Sequence, residues 1–157
     1  MDAEDFCAPQ PFKPAALKPT EFLCGDSGQL TLLMVHRLIV KGFALKDVQA
    51  MVSSSELYLS QQVLKRILGK SVRAAKRQID QFGVALLNSR QSATAYQFAE
   101  ALEGAIHVFG TQRMAEEWLG RPSKYLDGET PVDIIDEPVG VRAVKQYLER
   151  VEYGVYQ

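Results

Sequence analysis

Asn88-Ser89-Arg90-Gln91-Ser92-Ala93-Thr94-Ala95-Tyr96-Gln97-Phe98-Ala99-Glu100-Ala101-Leu102-Glu103-Gly104-Ala105-Ile106-His107-Val108-Phe109 is the stretch whose reading decides the fold. Ala95, Phe98, Leu102, Ala105 or Ile106, and Phe109 keep a helical period across it, which marks one apolar face on a long helix. Asn88 or Ser89 stands where an N-cap belongs, and Gly110 follows the last periodic residue. A helix of this length with one apolar side needs partners along that side.

Downstream, Thr111 caps a helix with the core face Met114, Ala115, Trp118 and Leu119. Pro122 and the turn Asp127-Gly128 follow, and Thr130 with Pro131 opens a short helix through Ile135. Pro138 then starts a final helix with the seam Val141, Val144, Leu148 and Val151. Upstream, Leu30, Leu33, Met34 and Leu38 mark an apolar helical face that ends at Gly42. Leu45, Val48 and Met51 give another turn of helix, and Ser53-Ser54-Ser55 breaks it and supplies capping hydroxyls. Ser60 is placed as N-cap of a helix over 61–68, buried through Val63, Leu64, Ile67 and Leu68. Gly69 stops that helix, and Ser71 caps another running to about Gln81. No stretch alternates as a strand must. The fold class is all-α.

Residues 1–27 carry Pro9, Pro11, Pro14 and Pro19 and read as an extended arm, because prolines at that spacing oppose a helix. The acidic start, Asp2, Glu4 and Asp5, is unlike the basic start of a signal peptide. The longest apolar run, Leu30 to Val40, contains His36 and Arg37 and is too short to span a bilayer. Cys7 and Cys24 are too few for a disulfide framework and too far apart for a zinc knuckle. A cytoplasmic protein with no membrane segment is expected.

The formal net charge of −1 hides a strong asymmetry. Residues 1–30 carry −3, residues 31–97 carry +7 and residues 98–157 carry −5. A basic middle between acidic flanks favours a polyanion for the middle and a different partner for the end. Lys65, Arg66, Lys70, Arg73, Lys76 and Arg77 fall in a run without a single acid. On a helical wheel Val72, Ala75 and Ile79 share one side, and Arg73, Ala74, Arg77 and Gln78 share the other. Helix, glycine turn, serine cap and helix in this order form the layout of a helix-turn-helix. Lys70, Ser71, Arg73, Lys76, Arg77 and Gln78 are therefore the candidate DNA contacts, through phosphates and base edges of a major groove. A solvated basic face without a ligand is the plainer alternative.

Nothing assembles catalysis. Glu116-Glu117, Asp133/Asp136/Glu137 and Glu149/Glu152 lack a neighbouring His or Cys, and His36 and His107 stand far apart in apolar helical patterns. Trp118 with Phe109 and Tyr125 reads as core aromatic packing. No catalytic residue, metal site or cofactor is expected. The last residues, Arg150, Tyr153, Gly154, Val155, Tyr156 and Gln157, either cap the chain's own core or enter a partner.

The segment from Phe109 to Gln157 resembles the toxin-binding domain shared by Xre/MbcA/ParS antitoxins. Phe109-Gly110, Ala115, Trp118-Leu119, Pro122, Leu126, Gly128, Pro131, Asp133-Ile134-Ile135, Gly140, Val144, Leu148, Arg150 and Tyr153-Gly154-Val155-Tyr156 carry the likeness. It continues more loosely upstream to about residue 57 as an Xre-type helix-turn-helix centred on Leu68-Gly69-Lys70-Ser71, and so covers about two thirds of the chain. The proline-rich arm (1–28) has no counterpart in the resemblance, which implies a helix-turn-helix domain (29–90) and a helical toxin-binding domain (91–157). It further implies a homodimeric antitoxin that represses its own operon. That antitoxin would bind a RES-domain, NAD-consuming toxin through Arg150 and the Tyr153–Gln157 tail, covering the active site.

Lys70 replaces a usually apolar residue, and Ala74-Ala75 a common Thr-Leu, which puts operator binding in more doubt than toxin binding. The competing readings are a stand-alone regulator whose C-terminal domain only dimerises, and an adaptor without DNA binding.

Overall fold

The computed structural model describes residues 16–26, 28–69 and 72–154, and their regular structure is helical. In chain order the elements are α1 (Pro19–Cys24), α2 (Leu32–Lys41), α3 (Leu45–Ser53), α4 (Glu56–Ser60) and α5 (Val63–Leu68). After them come α6 (Val72–Phe82), α7 (Ser89–Phe109), α8 (Gln112–Leu119), α9 (Pro131–Ile134) and α10 (Pro138–Glu152), with a 3-10 turn at Lys124–Leu126. Among the described residues the sole β-type pairing is one isolated antiparallel bridge between Ala44 and Leu86. The all-α expectation holds.

The decisive stretch forms α7, and the other elements are arranged around it. Its start is fixed by a reciprocal cap, in which the Gln91 N–H donates to Asn88 Oδ1 at 2.8 Å and the Asn88 N–H donates to Gln91 Oε1 at 3.0 Å. Gln91 Nε2 also donates to the Leu68 carbonyl at 2.9 Å, which gives an end-of-helix acceptor of α5 its partner. Asn88→Ala should therefore destabilise the protein by about 1 kcal/mol. A thermal melt should show this as a fall of about 2–4 °C.

Ala95, Phe98, Ala99, Ala101, Leu102 and Ala105 of α7 are fully buried. The four alanines let neighbouring helices come close, and Phe98 fills the centre. Tyr58 meets Phe98 edge to face at 5.4 Å, and its hydroxyl donates to the Phe98 carbonyl at 2.6 Å. Burial, reinforced by the Glu116 charge, pushes the Tyr58 hydroxyl up, so it stays a donor. One hydrophobic cluster runs from Leu23 through α3, α5 and α7 to Leu148.

Several local expectations are corrected. Residues 19–24 form α1, with Pro19 in the first turn, where its missing N–H costs nothing. Leu23 and Thr20 are buried against the core, and Thr20 Oγ1 donates to Glu103 Oε2 at 2.6 Å. That part of the arm is a docked helix, while Pro9, Pro11 and Pro14 lie outside the described residues. In α2 the buried residue is Val35, flanked by Leu38 and Ile39, while Leu33 and Met34 are exposed. This helix is apolar on more than one side, so periodicity alone could not decide which side meets α7.

Ser60 ends α4 instead of starting the next helix, and its hydroxyl donates back to the Leu57 carbonyl at 2.8 Å. Helix α4 is capped by Ser55, whose side chain accepts from the Tyr58 N–H at 3.2 Å. Helix α5 instead begins after Gln62, which sits in the left-handed region with φ 53°. Ser71 lies outside the described residues.

The chain between α6 and α7 is pinned to the turn between α2 and α3. Leu45 N–H donates to the Ala85 carbonyl at 2.9 Å, Leu87 N–H to the Phe43 carbonyl at 2.8 Å, and Phe43 N–H to Ser92 Oγ at 3.0 Å. Gly42 makes this approach possible, with φ 96° and the Leu87 carbonyl against the face where a side chain would stand.

Candidate partner-binding surfaces

Helix α6 carries the basic face. Arg73, Ala74, Lys76 and Arg77 are exposed, and Ile79 is half-buried against the core. The core side of the wheel is thus supported at Ile79; Arg73 and Arg77 stand in solvent on the other side, and Lys76 is exposed at the flank of the core side. Lys70 and Ser71 lie outside the described residues, as does the side chain of Gln78. Arg66 leaves the basic run. Its guanidinium pairs with Asp136 at 3.0 Å and lies 5.1 Å from the centre of the Phe98 ring. It joins α5 to the turn before α10, a role its sequence neighbours did not reveal.

The carboxylates are also mostly engaged. Glu116 accepts from the Ser55 hydroxyl and from the Leu57 N–H at 3.4 Å, so it supports the start of α4 from another helix. Glu117 pairs with Arg113 at 3.5 Å and Arg121 at 3.2 Å on its own surface. Among the described residues no group of three or more His, Cys, Asp or Glu could hold a metal ion, and no helix is long and apolar enough to cross a membrane. Cys24 is a free thiol, and burial together with the Glu103 charge pushes its pKa up, which opposes thiolate chemistry.

The last helix is held on α7 by apolar contact and by charge. Val141, Val144 and Leu148 are buried, whereas Val151 is only partly covered and closes the seam less than its spacing suggests. Lys145 pairs with Glu100, and His107 Nε2 meets Glu152 Oε1 at 2.8 Å. Tyr153 caps the helix through its N–H to the Glu149 carbonyl at 3.0 Å, and its side chain is 79% exposed. Gly154, with φ 69°, then turns the chain off the helix axis. Arg150 is exposed in the last turn, where a cation favours the helix dipole. Val155, Tyr156 and Gln157 lie outside the described residues. The described part of the tail thus projects an aromatic ring and does not cap the core.

A second surface lies on the same segment. Phe109, Trp118, Tyr147 and Tyr125 form a continuous row of rings. Centre-to-centre distances along it are 5.4, 5.2 and 5.3 Å, with Trp118 and Tyr147 nearly parallel at 6°. The row borders a groove of about 410 Å³ lined also by Met114, Glu117, Arg121 and Lys124. Met114 was expected in the core and is instead exposed, because Ala115 and Leu119 take the buried positions of α8. Tyr125, also read as core, is exposed as well. Tyr147 was missed altogether. Its place three residues after Val144, beside the α10 seam, was the available signal.

Both surfaces fall in one recognisable unit. Residues 104–154 match the family model of the antitoxin Xre/MbcA/ParS C-terminal toxin-binding domain. The toxin-binding match takes in the end of α7, all of α8 to α10, the ring row and Tyr153-Gly154. Separately, the chain is 35% identical over 49 residues to 6-hydroxy-3-succinoylpyridine 3-monooxygenase HspA of Pseudomonas putida (strain DSM 28022 / S16). That stretch is 31% of this chain and 16% of the monooxygenase, so the chain spans about a sixth of that relative's length.

Proposed function

We propose that this chain is a type II antitoxin, a non-enzymatic cytoplasmic protein that neutralises a toxin by covering its active site. The observation that carries this reading is the toxin-binding family match over residues 104–154, on a unit whose last helix ends in an exposed tyrosine. The partner is a RES-domain toxin that consumes NAD, and the antitoxin contacts it through Arg150 and the segment Tyr153–Gln157. The obstruction is steric and needs no cofactor. Residues 29–90 and 91–157 divide the labour, with DNA binding in the first and toxin binding in the second. A homodimer presents two copies of the basic helix to operator DNA, which suits a two-fold symmetric site.

The test is co-expression with the product of the adjacent reading frame. That product alone should arrest growth and deplete NAD, and this chain should restore both. A neighbour that leaves growth and NAD unchanged, or an arrest this chain does not relieve, counts against the reading.

Operator binding is supported by three exposed cations on α6 in a basic stretch of the chain. Replacing Arg73 and Arg77 with alanine should weaken binding to upstream DNA by about 100-fold at moderate salt. The slope of log affinity against log salt should become shallower by about two, one unit for each lost phosphate contact. Unchanged affinity in a fluorescence-anisotropy titration removes both arginines from the contact list. A chain that binds DNA normally but has no toxin partner would be a stand-alone regulator.

A further inference from the structure

The four-ring row has the make-up of an interaction surface. Phe109 comes from the end of α7, Trp118 from α8, Tyr125 from the 3-10 turn and Tyr147 from α10. Four segments thus converge on one groove, and Met114 and Tyr125 on its border are 52% and 46% exposed. Trp, Tyr, Met and Arg are the residue types concentrated in the cores of protein interfaces. The charge beside the rings runs against its surroundings. Residues 98–157 carry −5 in total, yet the groove holds Arg121 and Lys124 against the single carboxylate of Glu117. Glu117 is already shared by Arg113 and Arg121, while the Lys124 ammonium lies 5.0 Å from the centre of the Tyr125 ring. Tyr147 precedes Tyr153 by six residues, about 9 Å along the helix axis and about 120° around it. A partner that touches both the groove and the tail must therefore reach around the end of α10.

We propose that this groove seats an acidic, apolar-tipped segment of the toxin, as a second contact in addition to the tail. The apolar side chain packs on Met114 and against the ring edges of Tyr125 and Tyr147, and the carboxylate meets Lys124 and Arg121. The proposal rests on the antitoxin reading and adds to it the chemistry of the partner's surface. A protein segment fits better than a nucleic-acid strand. Rings 5.2–5.4 Å apart leave no slot for an inserted base.

The experiment is calorimetric titration of the full chain with the toxin encoded beside it. Lys124→Glu and Tyr125→Ala should each weaken binding tenfold or more, with circular dichroism and melting temperature unchanged. Arg142→Glu alters the net charge equally on an exposed position of α10 outside the groove and should bind like the parent. Parent-like binding by both groove variants overturns the proposal, as does an equal loss in Lys124→Glu and Arg142→Glu. A groove variant that loses single-stranded DNA binding but keeps the toxin also overturns it and assigns the groove to nucleic acid. Failure of the unaltered chain to bind the toxin is a different result, since it overturns the antitoxin reading itself.

Discussion

A chain lacking Tyr153–Gln157 is expected to fold normally and to fail as an inhibitor. The fold does not use the Tyr153 ring, which is 79% exposed, because the buried face of α10 is already made by Val141, Val144 and Leu148. Removing an exposed residue such as Tyr153 changes stability by about 0.5 kcal/mol or less. An aromatic that becomes buried against a partner contributes far more, about 2–4 kcal/mol for a hot spot. The truncated protein should therefore need at least about 30-fold more material to suppress NAD consumption by the toxin. Titrating the toxin with both proteins and following NAD measures this directly. Full inhibition at the parent's concentration would show that the tail is not the obstructing element.

Gly42→Ala should have the largest effect on the fold itself. A methyl group at this position would lie 2.1 Å from the Leu87 carbonyl oxygen, on backbone with φ 96°. Left-handed backbone costs an L-residue about 1–2 kcal/mol. Forcing an extra carbon into a closed contact costs about 1–3 kcal/mol more, for about 2–5 kcal/mol together. The displaced strand is the one whose hydrogen bonds tie Ala85 and Leu87 to Leu45 and Phe43. A urea titration should show the loss, and a change below about 0.5 kcal/mol would mean that the two segments separate easily. Because the same segment leads out of α6, the variant should also loosen the basic helix and, if the proposed DNA binding holds, weaken that binding.

Most helices could be read from spacing, caps and glycines, because those signals are local. Asn88 and Gln91 announce the start of α7, and Thr111 the start of α8, before any neighbour is known. The errors came where two local signals competed or where the deciding partner was distant. Pro19 looked like a breaker yet serves as the first residue of α1, whose stability comes from docking on α3 and α7. Helix α2 has apolar residues around most of its circumference, and only its packing on α7 selects Val35. Arg66 read as one more cation in a basic run, and only the folded chain brings Asp136, 70 residues away, within reach. The tail was visible as an aromatic end with a glycine hinge. The groove was not: Trp118, Phe109 and Tyr125 read together as core packing, and only the packing of α8 and α10 sets Tyr147 between Trp118 and Tyr125 and leaves the row bordering a surface groove.

The family match begins at Gly104, inside α7, fifteen residues after that helix starts at Ser89. No loop marks the boundary, and Phe98, Ala99, Ala101 and Leu102 just before it are wholly buried. Cutting the chain at the match would leave α7 only its last turns, 104–109, and take from α8 and α10 part of the helix they pack on. Anyone moving the toxin-recognition segment onto another carrier must take all of α7 from Asn88 onward and then re-cover the side that met α2 and α5. The matched stretch is therefore smaller than the unit that the packing of α7 holds together.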